Sequence, residues 1–206
     1  MTHLTQALHI PDTQSERGER HLEIQRVGVK DVRYPLRLRV AGAEQTTAAL
    51  WSLDVALPAE KKGTHMSRFV AWLDALDAPL DAAVLRDKLG AMLTLLNASE
   101  GRIESRFSFF LRKRAPVSGV SSLMDYQGRW IAEARGGKTT VWTEVAVPVK
   151  SLCPCSKEIS DYGAHNQRST VTIRAETHAP VAWEELVRFA EVNASSEIWA
   201  LLKRSD

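Results

Sequence analysis

Apolar and polar residues alternate along most of this chain, and alternation is the spacing of a strand with one covered face. From His21, the positions Leu22, Ile24, Val27 and Val29 lead into Leu36, Leu38 and Val40, with Arg37 and Arg39 facing the other way. Gly42 follows. Ala49, Trp51, Leu53, Val55 and Leu57 then share one face of a second strand, and the two strands predict a hairpin. The period changes next. Met66 to Leu76 predicts a short helix carrying Phe69, Val70 and Leu73. A longer helix starts at Pro79, with Leu85, Leu89, Met92 and Leu96 on one stripe, and Glu100-Gly101 ends it. Alternation returns with Ile103, Ser105, Phe107, Phe109 and Leu111 inward and Glu104, Arg106 and Arg112 outward. Gly119 and Gly128 punctuate a further hairpin through Leu123, Tyr126, Trp130 and Ala132.

Residues 21–135 therefore read as a ββααββ unit of the α+β class. Gly136-Gly137 resets the chain, and residues 136–206 begin the pattern again. A strand is expected over 140–149, another over 170–176, and a helix over 181–193 buried through Trp183, Leu186, Val187 and Ala190. Ser195 is expected to cap a short helix running to Leu202. This second unit reads ββα and is expected to lack its end, leaving Val171, Ile173, Trp183 and Leu186 incompletely covered. Residues 1–20 are polar, carry no periodicity and read as a mobile leader.

Composition narrows the classes. The 206 residues are 44% hydrophobic and 25% charged, as in an ordinary globular protein with a core. A net charge of +2 gives no electrostatic footprint for nucleic acid or a membrane surface. Arg37, Arg39, Arg106 and Arg112 alternate with core positions, which predicts a solvated sheet face, not a basic platform with stacking aromatics. No apolar run reaches the length of a membrane span, and the first residues do not read as a secretory signal. The only two cysteines are one residue apart, a strained spacing for a disulfide. A reducing, cytoplasmic compartment is the expectation.

Chemistry concentrates in Val147 to Ser169, VPVKSLCPCSKEISDYGAHNQRS. Cys153 and Cys155 sit in a Cys-Pro-Cys turn, and His165 follows, on a connection between two strands. Thiolate and neutral imidazole are donors that a borderline-soft divalent ion prefers. Spacing alone leaves two readings level. One is a metal site, although these donors are too few to close a tetrahedron. The other is a tight turn filled by small, soft residues with His165 capping a loop.

Five segments carry a resemblance: PDTQSERGERHLEIQRVGVKDVRYPL, KKGTHMSRF at 61–69, GVSSLMDYQG at 119–128, SLCPCSKEISDYGAHNQRS, and the closing SSEIWALLKRSD. Together, from about residue 11 onward, they resemble the prokaryotic type IB GTP cyclohydrolase I family. The resemblance implies a tunnelling fold built of tandem ββααββ units. It also implies a homotetramer with active sites at unit interfaces. The implied reaction converts GTP and water to 7,8-dihydroneopterin triphosphate and formate, the entry to folate. By the same resemblance Cys153 and His165 match ligands of zinc or manganese, and Cys155 lines or protonates the site. His65 and Arg68 match a substrate-binding signature, with local capping as the plain alternative. Lys150, Lys157 and Arg168 are the nearest cations for a triphosphate, with a solvated loop face as theirs. The family pattern continues past Asp206 with a metal-binding Glu and a Glu-Ser-x-His-x-His segment, so these two donors are expected to be part of a larger set. A nitrile reductase of the same fold and a metal-stabilised assembly module are the alternatives.

Overall fold

The computed structural model describes residues 22–161 and 165–206, so the leader expected over 1–20 lies outside the described residues. Strand β1 (Ile24–Val40) turns into β2 (Ala43–Leu57) through Ala41 and Gly42, whose φ values are 49° and 76°. Helices α1 (Met66–Asp74) and α2 (Ala82–Leu96) follow, then β3 (Gly101–Arg114) and β4 (Ser121–Arg135). Gly136-Gly137 leads into β5 (Lys138–Leu152), short helix α3 (Pro154–Ile159), β6 (Asn166–Glu176), α4 (Trp183–Val192) and the two-residue β7 (Ser196–Glu197). Every strand pairs antiparallel with the next in the order β1-β2-β3-β4-β5-β6, and β7 adds to β5. An antiparallel sheet with helices on one face is the expected α+β, tunnelling-fold arrangement.

Alternation decides which face the helices cover. Trp51, Leu53, Ile103, Phe109, Val145 and Val147 are all buried, and they join α1, α2 and α4 in one hydrophobic cluster. Trp183, the first residue of α4, is packed among the rings of Phe107, Phe109 and Trp130 at centroid distances of 5.5, 5.0 and 5.3 Å. It is 3% exposed, so it does not lack cover as the sequence suggested; Val171, Ile173 and Leu186 are half-buried. Gly128 is not a turn glycine. It lies within β4 opposite Phe107, and a Cβ there would stand 2.6 Å from the phenyl ring.

Four local expectations change. Helix α1 covers itself through Phe69, Trp72 and Leu73, whereas Val70 is 46% exposed, because i, i+3 and i+4 share a face. Leu123 is exposed because Met124, Tyr126 and Gly128 hold the inward parity of β4. No helix follows Ser195. Its hydroxyl instead accepts the Leu152 N–H at 3.1 Å, and Ser196 and Glu197 pair with Lys150 and Val149. Backbone pairing on β5 claims the segment that helical spacing had suggested. Helix α2 begins later than Pro79, at Ala82, because the Asp81 carboxylate caps it by accepting the Val84 N–H at 2.9 Å.

The other face of the sheet is charged, as the alternating arginines predicted, but it is paired as well as solvated. Glu104 accepts from Arg129 at 3.0 Å and pairs with Arg102 at 2.6 Å, Arg129 reaches Glu144 at 3.4 Å, and Arg106 pairs with Asp31. Burial pushes the Glu104 carboxyl up, but Arg129 and Arg102 outweigh it and hold the group below the usual carboxylate range. Its stabilising contribution is therefore present above the unfolded carboxylate pKa and is lost as pH falls through the folded value.

Candidate active site

Strand β5 delivers Cys153 to one end of the sheet, and β6 starts one residue after His165. Leu152 and Asn166 are register partners, so the cysteine and the histidine flank the last rung of this hairpin. The Cys153 N–H donates to the His165 carbonyl at 3.3 Å. Cys153 is the N-cap residue of α3, and Pro154 at its first position supplies a helical φ without needing a hydrogen-bond acceptor. Ser156 ties the two ends together: its Oγ donates to the Cys153 carbonyl and accepts the His165 N–H, each at 3.2 Å.

Both cysteines are free thiols; Cys153 is half-buried, while Cys155 and His165 are exposed. The Ser156 amide, then its hydroxyl, then Cys155 hold the Cys153 thiol below the ordinary cysteine value. A thiolate is the nucleophilic and metal-binding form of cysteine. Ser156 was not singled out from the sequence. The available signal was its place three residues after an N-cap cysteine, where a hydroxyl reaches back to the chain.

Cations surround this corner. Lys150 on β5 lies directly opposite Arg168 on β6, and both are exposed. Like charges opposed across a ladder repel, and neither forms an ion pair among the described residues. Lys157, in the last turn of α3, is exposed too, and its N–H donates to the Cys153 carbonyl at 3.3 Å.

His65 and Arg68 lie elsewhere. They line a recess at the start of α1 with Leu57, Lys61 and Asn97. Strand register places that recess at the opposite end of the sheet from Cys153, on the order of 50 Å away along the strands at about 3.3 Å per residue. Arg68 donates to the Leu95 carbonyl at 3.0 Å and Lys61 donates to the Asn97 carbonyl. Both cations cap the C-terminal end of α2, where orphan carbonyls favour positive charge. One copy of the chain thus brings Cys153, Cys155, His165, Lys150, Lys157 and Arg168 to one end and His65 and Arg68 to the other. Among the described residues, no three His, Cys, Asp or Glu side chains gather as a complete metal cluster.

Replacing Ser156 with alanine removes the clip and the hydroxyl's influence on the thiol, while the amide's remains. In a Cys155→Ser background, Cys153 is expected to alkylate severalfold more slowly at neutral pH, with the midpoint of its reactivity profile moved to higher pH. An iodoacetamide rate profile measures this, and an unchanged profile would dismiss the role given to Ser156.

A sheet end presenting a thiol held below its ordinary value, an imidazole and cations without ion-pair partners among the described residues has the chemistry of an enzyme site for an anionic substrate. Comparison with known proteins gives the particular family. A family model described as type I GTP cyclohydrolase folE2 matches residues 10–206. The chain is 64% identical over 242 aligned positions to the GTP cyclohydrolase FolE2 of Methylibium petroleiphilum, covering 100% of this chain and 81% of that one. It is 56% identical over 207 positions to the GTP cyclohydrolase FolE2 of Paraburkholderia xenovorans, covering 100% and 77%. A third relative, the GTP cyclohydrolase FolE2 of Burkholderia pseudomallei, is 56% identical over 198 positions, covering 96% and 74%. The chain belongs to the type I GTP cyclohydrolase FolE2 family.

Proposed function

We propose that this protein is a GTP cyclohydrolase of the folate pathway, converting GTP and water to 7,8-dihydroneopterin triphosphate and formate. The observation that carries the reading is the depressed Cys153 thiol fixed beside His165 within a chain matched to the family over residues 10–206. Cys153 and His165 would hold a divalent ion, zinc or manganese. The donor chemistry fits: a sulfur already biased toward thiolate and an exposed imidazole sit on adjacent strand ends, with other positions left for substrate, water and further donors. When bound, such an ion supplies activation of water for attack on C8 of the guanine imidazole ring.

The chain's own residues do the rest. Cys155, exposed on the first turn of α3, borders the reacting ring and exchanges a proton with it. Lys150, Lys157 and Arg168 orient the triphosphate, whose charge relieves the repulsion between the opposed Lys150 and Arg168. His65 and Arg68 come to the same substrate from another copy, since one copy holds them at the far end of its sheet. That distance supports a homotetramer with sites between units, and the long outer edges of β1 and β6 give it a physical basis. We place the boundary between the two units at 135/136, and the protein in the cytoplasm, where its two free thiols persist. No helix among the described residues is long and apolar enough to cross a membrane.

Formate and product mass measured from GTP, with and without chelator, test the reading. Stoichiometric formate that chelation abolishes, with no need for NADPH, is expected. Turnover that requires NADPH would transfer the protein to the nitrile reductases of this fold. Bound metal with no turnover would leave it an assembly module. Lys150→Glu is expected to raise the KM for GTP by about tenfold, as loss of one charge-assisted phosphate contact of roughly 1.5 kcal/mol or more predicts. An unchanged KM would remove Lys150 from the triphosphate site.

A further inference from the structure

Away from the thiol, on the covered face of the sheet, the end of β3 carries a lysine that the proposed mechanism does not use. The Lys113 side chain is only 10% exposed. Its ammonium meets Glu191 of α4 at 2.7 Å, Glu197 of β7 at 2.6 Å and the Ile198 carbonyl at 2.9 Å, and the Trp199 ring centroid lies 5.1 Å away. The buried Tyr126 hydroxyl donates to the same Glu191 oxygen at 2.9 Å. An ammonium this buried requires such partners. Two of its contacts, Glu197 and Ile198, belong to the segment that grips the last residues of β5. Glu197 pairs with Val149, Ser196 pairs with Lys150, and the Ser195 hydroxyl accepts the Leu152 N–H. The next residue is Cys153.

We propose that Lys113, acting through Glu197, is a positioning residue for the Cys153 site. The lysine clamps β7 against the end of β5 and thereby fixes where the strand releases the thiol. The inference rests on reading Cys153 as a metal-binding thiolate. Neither Lys113 nor Glu197 is assigned a contact with substrate or metal. Both act through the backbone of 149–152.

The test separates positioning from folding. Glu197→Gln removes the ionic link to β7 and leaves the Lys113–Glu191 pair and the Ile198 carbonyl contact, and the Glu197 side chain is 41% exposed, so little buried charge is orphaned. The pair Lys113→Met with Glu191→Gln removes the clamp together with the carboxylate it would otherwise strand. For the whole protein, two readouts are needed: deuterium uptake across 149–153, and zinc affinity by competition with a chromophoric chelator. Faster uptake confined to that segment and zinc bound about tenfold more weakly are expected in both variants, the range seen when groups behind metal ligands are lost. The urea midpoint of Glu197→Gln should stay near that of the parent. Uptake and zinc affinity unchanged in Glu197→Gln would overturn the proposal. So would losses in the double variant that follow the urea midpoint alone, because they would mark the clamp as general stability. If the parent itself binds no zinc, the metal reading fails, and deuterium uptake still decides whether Lys113 holds the strand end.

Discussion

Cys153→Ala and His165→Ala are each expected to purify without stoichiometric metal and to release formate from GTP more slowly by on the order of a thousandfold or more. Removing either donor leaves the other on a strand end with too few partners to hold a divalent ion, and the chemistry loses its means of activating water at neutral pH. Cys155→Ser should behave differently. Its thiol is exposed, one position past the N1 proline of α3, and its loss should slow turnover while most metal stays. Elemental analysis after dialysis, alongside a formate assay, distinguishes the roles. Full metal in both Cys153→Ala and His165→Ala would remove these residues from the ligand set. Equal metal loss in Cys155→Ser and Cys153→Ala would show the two sulfurs sharing one role.

The largest stability effect is expected from Trp183→Ala, about 4 kcal/mol of destabilisation, within the range for emptying a buried large aromatic site. The indole is 3% exposed and has three aromatic neighbours on β3 and β4, none of which can move far without breaking a strand. A loss of that size is a large share of the roughly 5–15 kcal/mol that holds a domain together. Phe189→Ala, on the same helix but 63% exposed, should shift stability by no more than about 0.5 kcal/mol. Urea titrations of the two variants compare them directly. Similar midpoints would mean that α4 is not anchored through Trp183.

Much of the fold was legible because one rule, alternation, governs every long strand. It failed where another force set the conformation. Leu123 looked inward because it is apolar, but Met124 and Tyr126 already fix the parity of β4. Ser195 looked like a helix cap because Ser commonly is one, yet a free edge on the last rungs of β5 captured that segment as a strand. That Cys153 and His165 lie together was legible, since one short connection between two alternating runs carries both. The separation of His65 and Arg68 from them was not, because it follows from summed strand register and not from any local motif. Lys113 was hidden for a related reason: Arg112-Lys113-Arg114 reads as a solvated strand end, and only packing against α4 reveals that the middle residue points inward.

In the tetramer proposed above, the outer edges of β1 and β6 would make protein concentration a variable of stability. Apart from the Leu80 bridge to Leu38, the outward backbone groups of these strands have no strand partner among the described residues. Copies that closed those edges would bind only the folded chain, so mass action would couple unfolding to dissociation. A melting temperature read at low micromolar protein would then understate the value at the higher concentrations of an assay or a cell. Dilution would work on this molecule as a mild denaturant, loosening the joints between copies before any core residue is exposed.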